Sequence, residues 1–189
     1  MAAGFSSAAA RAMAPLKEEV KRRGLWACHL GPELGGKGLG QLKLGLMNEI
    51  LGRSRFAPTV FGTQAPDTGN AEILARFGTE DQKAKYLQPL LDGEIVSCYS
   101  MTEPQAGADP AEFTCRARLD GKEWVIDGEK WFASHACIAE FLIVMVITDP
   151  DVPVHQGSTM LIVPHDTPGL EIVRNTAVGP KDEIGSGVH

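Results

Sequence analysis

The residues best placed to do chemistry lie together in the stretch from Cys98 to Asp109, C-Y-S-M-T-E-P-Q-A-G-A-D. Ser100 and Thr102 offer hydroxyls, Gly107 permits a close backbone approach, and the N–H groups after Pro104 can form an anion-binding concavity. The stretch follows the apolar pair Ile95 and Val96 and carries Pro104, Gly107 and Pro110, so Thr102 and Glu103 are expected where a strand gives way to an exposed loop. A ligand-holding loop and a plain surface turn both fit these residues taken alone.

Other chemistries find less support. His29, His135, His155, His165 and His189 are scattered, with no H-E-x-x-H or paired Cys/His spacing, so no metal site is expected. No nucleophile elbow or other hydrolytic set is readable. Gly31, Gly36 and Lys37 match part of a phosphate-binding loop, but Gly38 stands where the magnesium-binding Ser/Thr is required and no strand precedes it. A formal charge of -6 without a Lys/Arg stripe argues against a nucleic-acid surface.

The elements that must position the stretch follow from periodicity. The chain has 189 residues, 43% hydrophobic and 22% charged, enough for a substantial core and one or two domains. Helices are expected from about Ala12 to Arg23, stopped by Gly24, and from Gln41 to Arg53, where Leu42, Leu46, Met47, Ile50 and Leu51 form a core-facing side. A third, capped by Asp67 or Thr68, runs to Phe77. Thr79 and Gln82 form a capping box for a fourth, with Tyr86, Leu87, Leu90 and Leu91 as its apolar face and Pro89 expected to kink or shorten it.

Beyond Asp92 the period changes to two. Phe113, Cys115, Ala117 and Leu119 alternate as a half-buried strand, and Asp120-Gly121 turns the chain into a return strand with Trp124 and Ile126. Phe141–Ile147 is a continuous apolar strand for a barrel or sandwich centre, and Met160–Val163 and Leu170–Val173 are shorter ones. The expected fold is α+β: a helical domain over residues 1–93, then an antiparallel β-barrel-like domain over 94–189. Cys28, Cys98, Cys115 and Cys137 include no C-x-x-C pair and read as reduced thiols of a cytosolic (cytoplasmic) protein. Met1–Ala14 is too weakly hydrophobic for a signal peptide, and no apolar run reaches the roughly 18 residues of a membrane span.

The same motif residues carry a family resemblance. Thr102-Glu103-Pro104, Ala106-Gly107-Ala108 and Asp109 resemble the flavin-binding signature T-E-P-x-A-G-S-D of the acyl-CoA dehydrogenases. Gly128, Lys130 and then Phe132-Ala133-Ser134 resemble the family's second flavin-contacting segment, G-x-K-x-W-I-T. The likeness extends from about Leu16 to about Arg174, and Ala65–Asn70, A-P-D-T-G-N, is similar to a long-tailed subgroup.

The resemblance implies an FAD-dependent enzyme that desaturates an acyl-CoA thioester at its α,β bond, with hydride transfer to flavin N5 and electrons passed to an electron-transferring flavoprotein. It implies Tyr99, Met101, Thr102, Gly107, Ala108, Phe132 and Ser134 as cofactor-binding residues, with Ala108 also toward substrate. Phe132 and Ser134 replace the usual tryptophan and threonine but keep an aromatic face and a hydroxyl, whereas Ala108 in place of serine keeps only its N–H. His135, where asparagine is common, is open to an acid–base, a supporting or a surface role.

The family's catalytic glutamate belongs to a carboxy-terminal helical domain, expected to be absent from a truncated chain whose β-domain is incomplete at its end. Neither Glu103 nor Glu129 is expected to replace it. The full-length parent is expected to be a homo-oligomer, dimer or tetramer. A catalytically inactive dehydrogenase-like module for protein association is the alternative.

Overall fold

In a computed structural model that describes residues 7–34, 36–174, 176–177 and 187–188, helices occupy the first half and strands the second. Helix α1 spans Ser7–Arg22, earlier than expected because the alanine-rich start is itself strongly helix-forming and carries the helix through Pro15. It ends in a Schellman motif: Leu25 N–H donates to Val20 O and Gly24 N–H to Lys21 O, with Gly24 at φ +64 and Leu25 packed against Val20.

Helix α2, Gly40–Leu51, corrects the expected core-facing side. Leu44 and Leu51 are buried, but Leu42, Leu46 and Ile50 are 79%, 57% and 63% exposed. Their spacing identifies one stripe of the helix and not what covers it. The short helix α3, Ala57–Phe61, packs beside α1, and α4 spans Asp67–Phe77. No side chain caps α4; Asp67 is already inside it and accepts from Gln64 Nε2 at 2.8 Å.

The capping box forms as expected, Thr79 Oγ1 accepting from Gln82 N–H and Gln82 Oε1 from Thr79 N–H. It starts a continuous helical run, α5 (Glu80–Gln82), a π-wound turn (Lys83–Leu87) and α6 (Gln88–Asp92). Pro89 does not stop this run. Its ring would strike the Lys85 carbonyl in a regular helix, and the preceding turn is widened so that Gln88 N–H reaches back to Lys83 O.

The chain separates into two compact units, Met1–Val96 and Ser97–His189. In the second, β4 (Phe141–Ile147) is central and buries six consecutive residues, because both its faces are packed: Leu142, Val144 and Val146 belong to one apolar cluster and Met145 to another. Along one edge it pairs antiparallel with β5 (Ser158–Pro164), from Phe141↔Pro164 to Ile147↔Ser158. Its other edge is shared: β1 (Ser97–Ser100) runs parallel to residues 141–144, and β2 (Arg116–Asp120) meets it, also parallel, at Arg116↔Ile147. Strand β3 (Glu123–Asp127) completes the sheet as an antiparallel hairpin with β2.

The sheet is therefore mixed, which corrects the wholly antiparallel expectation. Long excursions separate β1 from β2 and β2 from β4, and such connections permit parallel pairing that a tight turn does not. The alternation from Phe113 holds through Ala117 but fails at Leu119, which lies beside exposed Trp124 near the hairpin tip, beyond the core. Leu170–Val173 is not a strand, although Leu170 and Ile172 still pack on the core. A further two-stranded pair, β6 (Thr176–Ala177) with β7 (Gly187–Val188), follows. The expectation of an incomplete β-domain end falls on residues 178–186 and 189, outside the described residues.

Candidate functional site

Because β1 and β2 share one edge of β4, residues 101–115 leave that edge after Ser100 and return to it at Arg116. Glu103 closes this excursion. Its carboxylate accepts from Thr114 N–H at 2.6 Å, from Thr114 Oγ1 at 3.1 Å and from Cys115 N–H at 3.1 Å, all at the returning end. Gln105 Nε2 adds a donor at 2.7 Å. Glu103 and Ala106 also exchange backbone hydrogen bonds across Pro104-Gln105, which makes residues 103–106 a tight turn.

Lys130 brings the second motif to the first. Its ammonium donates to Glu103 Oε1 at 2.7 Å and to Met101 O at 2.9 Å, and stands 4.6 Å from the Phe113 ring centroid. The next residue, Trp131, donates its backbone N–H to Thr102 O at 2.8 Å. Residues 101, 102 and 103 are thus each bonded to residue 130 or 131. Gly128 allows this approach: a Cβ there would lie 2.6 Å from Cys115 Cα, and its φ of +146 is one that other residues rarely adopt.

Glu103 is 2% exposed. Burial pushes its carboxyl up, but the Lys130 ammonium and the Thr114, Gln105 and Cys115 donors outweigh that and hold it below the usual carboxylate range. A buried carboxylate with this many donors is a structural anion; no acceptor is left to take a substrate proton. Burial also pushes the Tyr99 phenol up and raises the Cys115 thiol.

Beyond Trp131 the chain adopts two left-handed residues, Phe132 at φ 55 and His135 at φ 71, a conformation that costs a non-glycine residue roughly 1–2 kcal/mol. Ser134 N–H donates to Phe132 O, and Ile138 and Ala139 N–H groups both donate to His135 O. The result is a tight segment that leaves Phe132 56% exposed, with Trp131 edge-on to its ring at 5.6 Å between centroids. Strain held in this way is a mark of functional segments. His135 Nδ1 is buried and without a hydrogen-bond partner.

The structure joins Met101 and Thr102 directly to the segment that continues into Phe132 and Ser134, with Tyr99 two residues upstream on β1. Tyr99, Met101, Thr102 and Ser134 are half-buried. Gly107 and Ala108 stand exposed beyond the 103–106 turn and are not part of that bonded set among the described residues. Ser100 departs from its expected donor role: it is buried, with Oγ 3.5 Å from Cys98 Sγ. The anion-binding concavity is also reduced, since the N–H groups of Ala106, Ala111, Glu112 and Phe113 are bonded within the excursion. In the Gly31–Gly40 loop, Gly36 N–H donates to Gly31 O and is not free to hold a phosphate.

The donor set fits a flat, polar-edged ring such as a flavin: two half-buried hydroxyls at Thr102 and Ser134, an exposed aromatic face at Phe132 and an unpartnered imidazole nitrogen at His135. Sequence reasoning recognised Lys130 as a motif position but missed its bond to Met101 O and the Thr114, Cys115 and Gln105 donors around Glu103. A glutamate in the first motif and a lysine in the second, opposite charges in two segments that the resemblance already places at one site, were the available signal.

Two family models match the chain: "Acyl-CoA dehydrogenase, N-terminal domain" over residues 5–94 and "Acyl-CoA dehydrogenase, middle domain" over residues 98–186. FadE2 of Mycobacterium tuberculosis, named as a probable acyl-CoA dehydrogenase, is 46% identical over 175 residues, covering 90% of this chain and 42% of that protein. A solved structure from Mycobacterium abscessus, assigned to the acyl-CoA dehydrogenases, superposes with a TM-score of 0.84 at 39% identity and covers 93% of this chain and 44% of its own. A glutaryl-CoA dehydrogenase from Mycobacterium smegmatis, solved in complex with FADH2, has a TM-score of 0.67 at 28% identity, covering 92% of this chain and 42% of that one. The chain thus spans less than half the length of these relatives.

Proposed function

Because this chain belongs to the acyl-CoA dehydrogenase family, we propose that it is the flavin-binding part of an FAD-dependent enzyme that desaturates acyl-CoA thioesters. The observation that carries the reading is the direct bonding of residues 101–103 to residues 130 and 131, which sets Thr102 and the Phe132–Ser134 segment side by side. We assign cofactor binding to the unit beginning near residue 94 and the preceding helices to a supporting domain.

Tyr99, Met101, Thr102, Phe132 and Ser134 would hold the cofactor. Bound there, FAD would supply the acceptor for the hydride leaving the substrate β-carbon. The chain's own part is to orient and to donate. The Thr102 and Ser134 hydroxyls offer hydrogen bonds to the polar ring edge, and Phe132 offers an apolar face that excludes water from it. Gly107 and Ala108, on the exposed side of the excursion, are assigned to the cofactor's phosphate side and, for Ala108, to substrate.

Proton removal from the substrate α-carbon is assigned to neither Glu103 nor Glu129. The first is locked with Lys130, and the second accepts from Trp131 Nε1 at 2.9 Å. We place the base outside residues 1–189, and likewise propose an electron-transferring flavoprotein and further copies of the whole protein as its partners.

The test is FAD uptake by the purified chain, read as quenching of flavin fluorescence and a shift of the visible flavin band. A Thr102→Ala/Ser134→Ala variant is expected to bind roughly tenfold or more weakly, as the loss of two hydrogen bonds implies. Ala108→Ser is expected to bind more tightly by restoring a hydroxyl. Absence of any flavin signal from the unmodified chain after loading would overturn the reading in favour of an inactive association module.

A further inference from the structure

Lys130 is the one side chain among the described residues that reaches both neighbours of Thr102. A single ammonium bonds the carbonyl before Thr102, Met101 O at 2.9 Å, and the carboxylate after it, Glu103 Oε1 at 2.7 Å. Its third proton has the Phe113 ring to face, at 4.6 Å. Its side chain is only 10% exposed, and that of Glu103 1%.

A pair needed only to fill buried space would be poorly chosen. Desolvating two charges costs several kcal/mol per ion, and apolar residues of similar volume commonly serve as well or better. What an apolar pair cannot do is hold a main-chain carbonyl on one side of a residue while anchoring the turn on the other. The bond to Met101 O and the Trp131 N–H bond to Thr102 O leave the Met101 and Thr102 carbonyls both committed to the 130–131 segment. The orientation of the intervening peptide is then fixed against the segment that carries Phe132 and Ser134.

We propose that Lys130, with Glu103 as its anchor, is a positioning residue that sets the Met101–Thr102 peptide and the Phe132–Ser134 segment in the register a flavin ring requires. The proposal rests on the flavin-site reading above. It assigns neither residue a contact with substrate or cofactor. Lys130 acts through Met101 O, and Glu103 acts by holding Lys130 and closing the excursion at Thr114 and Cys115.

The experiment compares three chains of residues 1–189, the unmodified one, Lys130→Met and the double variant Glu103→Gln/Lys130→Met, by thermal unfolding without cofactor and by FAD titration. Lys130→Met leaves a buried carboxylate without its cation and is expected to lose both stability and FAD affinity. The double variant removes that stranded charge and is expected to regain most of the stability. It still lacks a donor for Met101 O, so its FAD affinity stays roughly ten- to hundredfold below that of the unmodified chain, the cost of a lost charge-assisted hydrogen bond, and its visible flavin band stays altered. Recovery of both stability and FAD affinity in the double variant, with an unchanged band, would make the pair merely structural and overturn the proposal while the flavin site stands. If the unmodified chain takes up no FAD, the flavin-site reading fails first and this inference with it.

Discussion

Glu19 in the helical unit and Glu103 in the sheet unit are both carboxylates held ionised by basic side chains, but in opposite settings. Glu19 accepts twice from Arg22 and once from Arg23 on the surface of α1, and those bonds pull its carboxyl down to about 2. Glu103 meets one lysine, but inside the protein and beside four further hydrogen bonds from Thr114, Cys115 and Gln105. Water and salt can replace the arginines at Glu19, whereas nothing can replace Lys130 at Glu103. Apolar residues repeat the contrast: Ile143 on β4 is 1% exposed, while Leu46 on α2 has its side chain in solvent. The lesson is that the environment, and not the type of interaction, decides what a residue contributes.

Mutations can break that contrast or sharpen it. The largest effect is expected from Lys130→Met, about 3–5 kcal/mol of stability by chemical denaturation, because a buried carboxylate loses its cation. Ile143→Ala follows at about 2–5 kcal/mol, the transfer and cavity cost of a core aliphatic side chain. An acid titration should come next. The folded-state pKa of Glu103 is depressed, so its contribution is fully present above the unfolded glutamate value of about 4.3 and is lost as pH falls through the lower folded value. Denaturation midpoints should therefore fall below about pH 4.3, and the fall should be shallower in Glu103→Gln/Lys130→Met.

At the small end, Leu46→Ala should change stability by no more than about 0.5 kcal/mol, as for other surface positions. Glu19→Gln should leave the denaturation midpoint at neutral pH within measurement scatter, because an exposed ion pair contributes little net stability. A Leu46→Ala loss as large as that of Ile143→Ala would show that α2 is covered in solution, and the contrast between the units would then disappear.

Much of this was legible in the residues themselves. The run F-L-I-V-M-V-I gave β4 its bounds because a strand buried on both faces needs no alternation. Thr79 and Gln82 gave the capping box because its chemistry is local. The two motifs were visible as motifs, and the structure adds the bonds between them. The non-local features were not legible: parallel pairing of β1 with β4, the exposed stripe on α2, the burial of Ser100 and the irregular path of Leu170–Val173. Each depends on what lies across from a residue in space, and periodicity carries no information about that. The wide turn before Pro89 belongs to the same class, since the sequence signals a conflict there without saying how the helix resolves it.

The excursion from β1 to β2 starts and finishes on the same side of one strand, and its two ends are stitched together by a single acidic side chain. Its outer portion, residues 107–112, therefore works like a bay window on a fixed wall. Lengthening, shortening or rebuilding that portion would leave the frame behind it in place, which makes it a natural region for remodelling what the protein holds while the scaffold is conserved in shape.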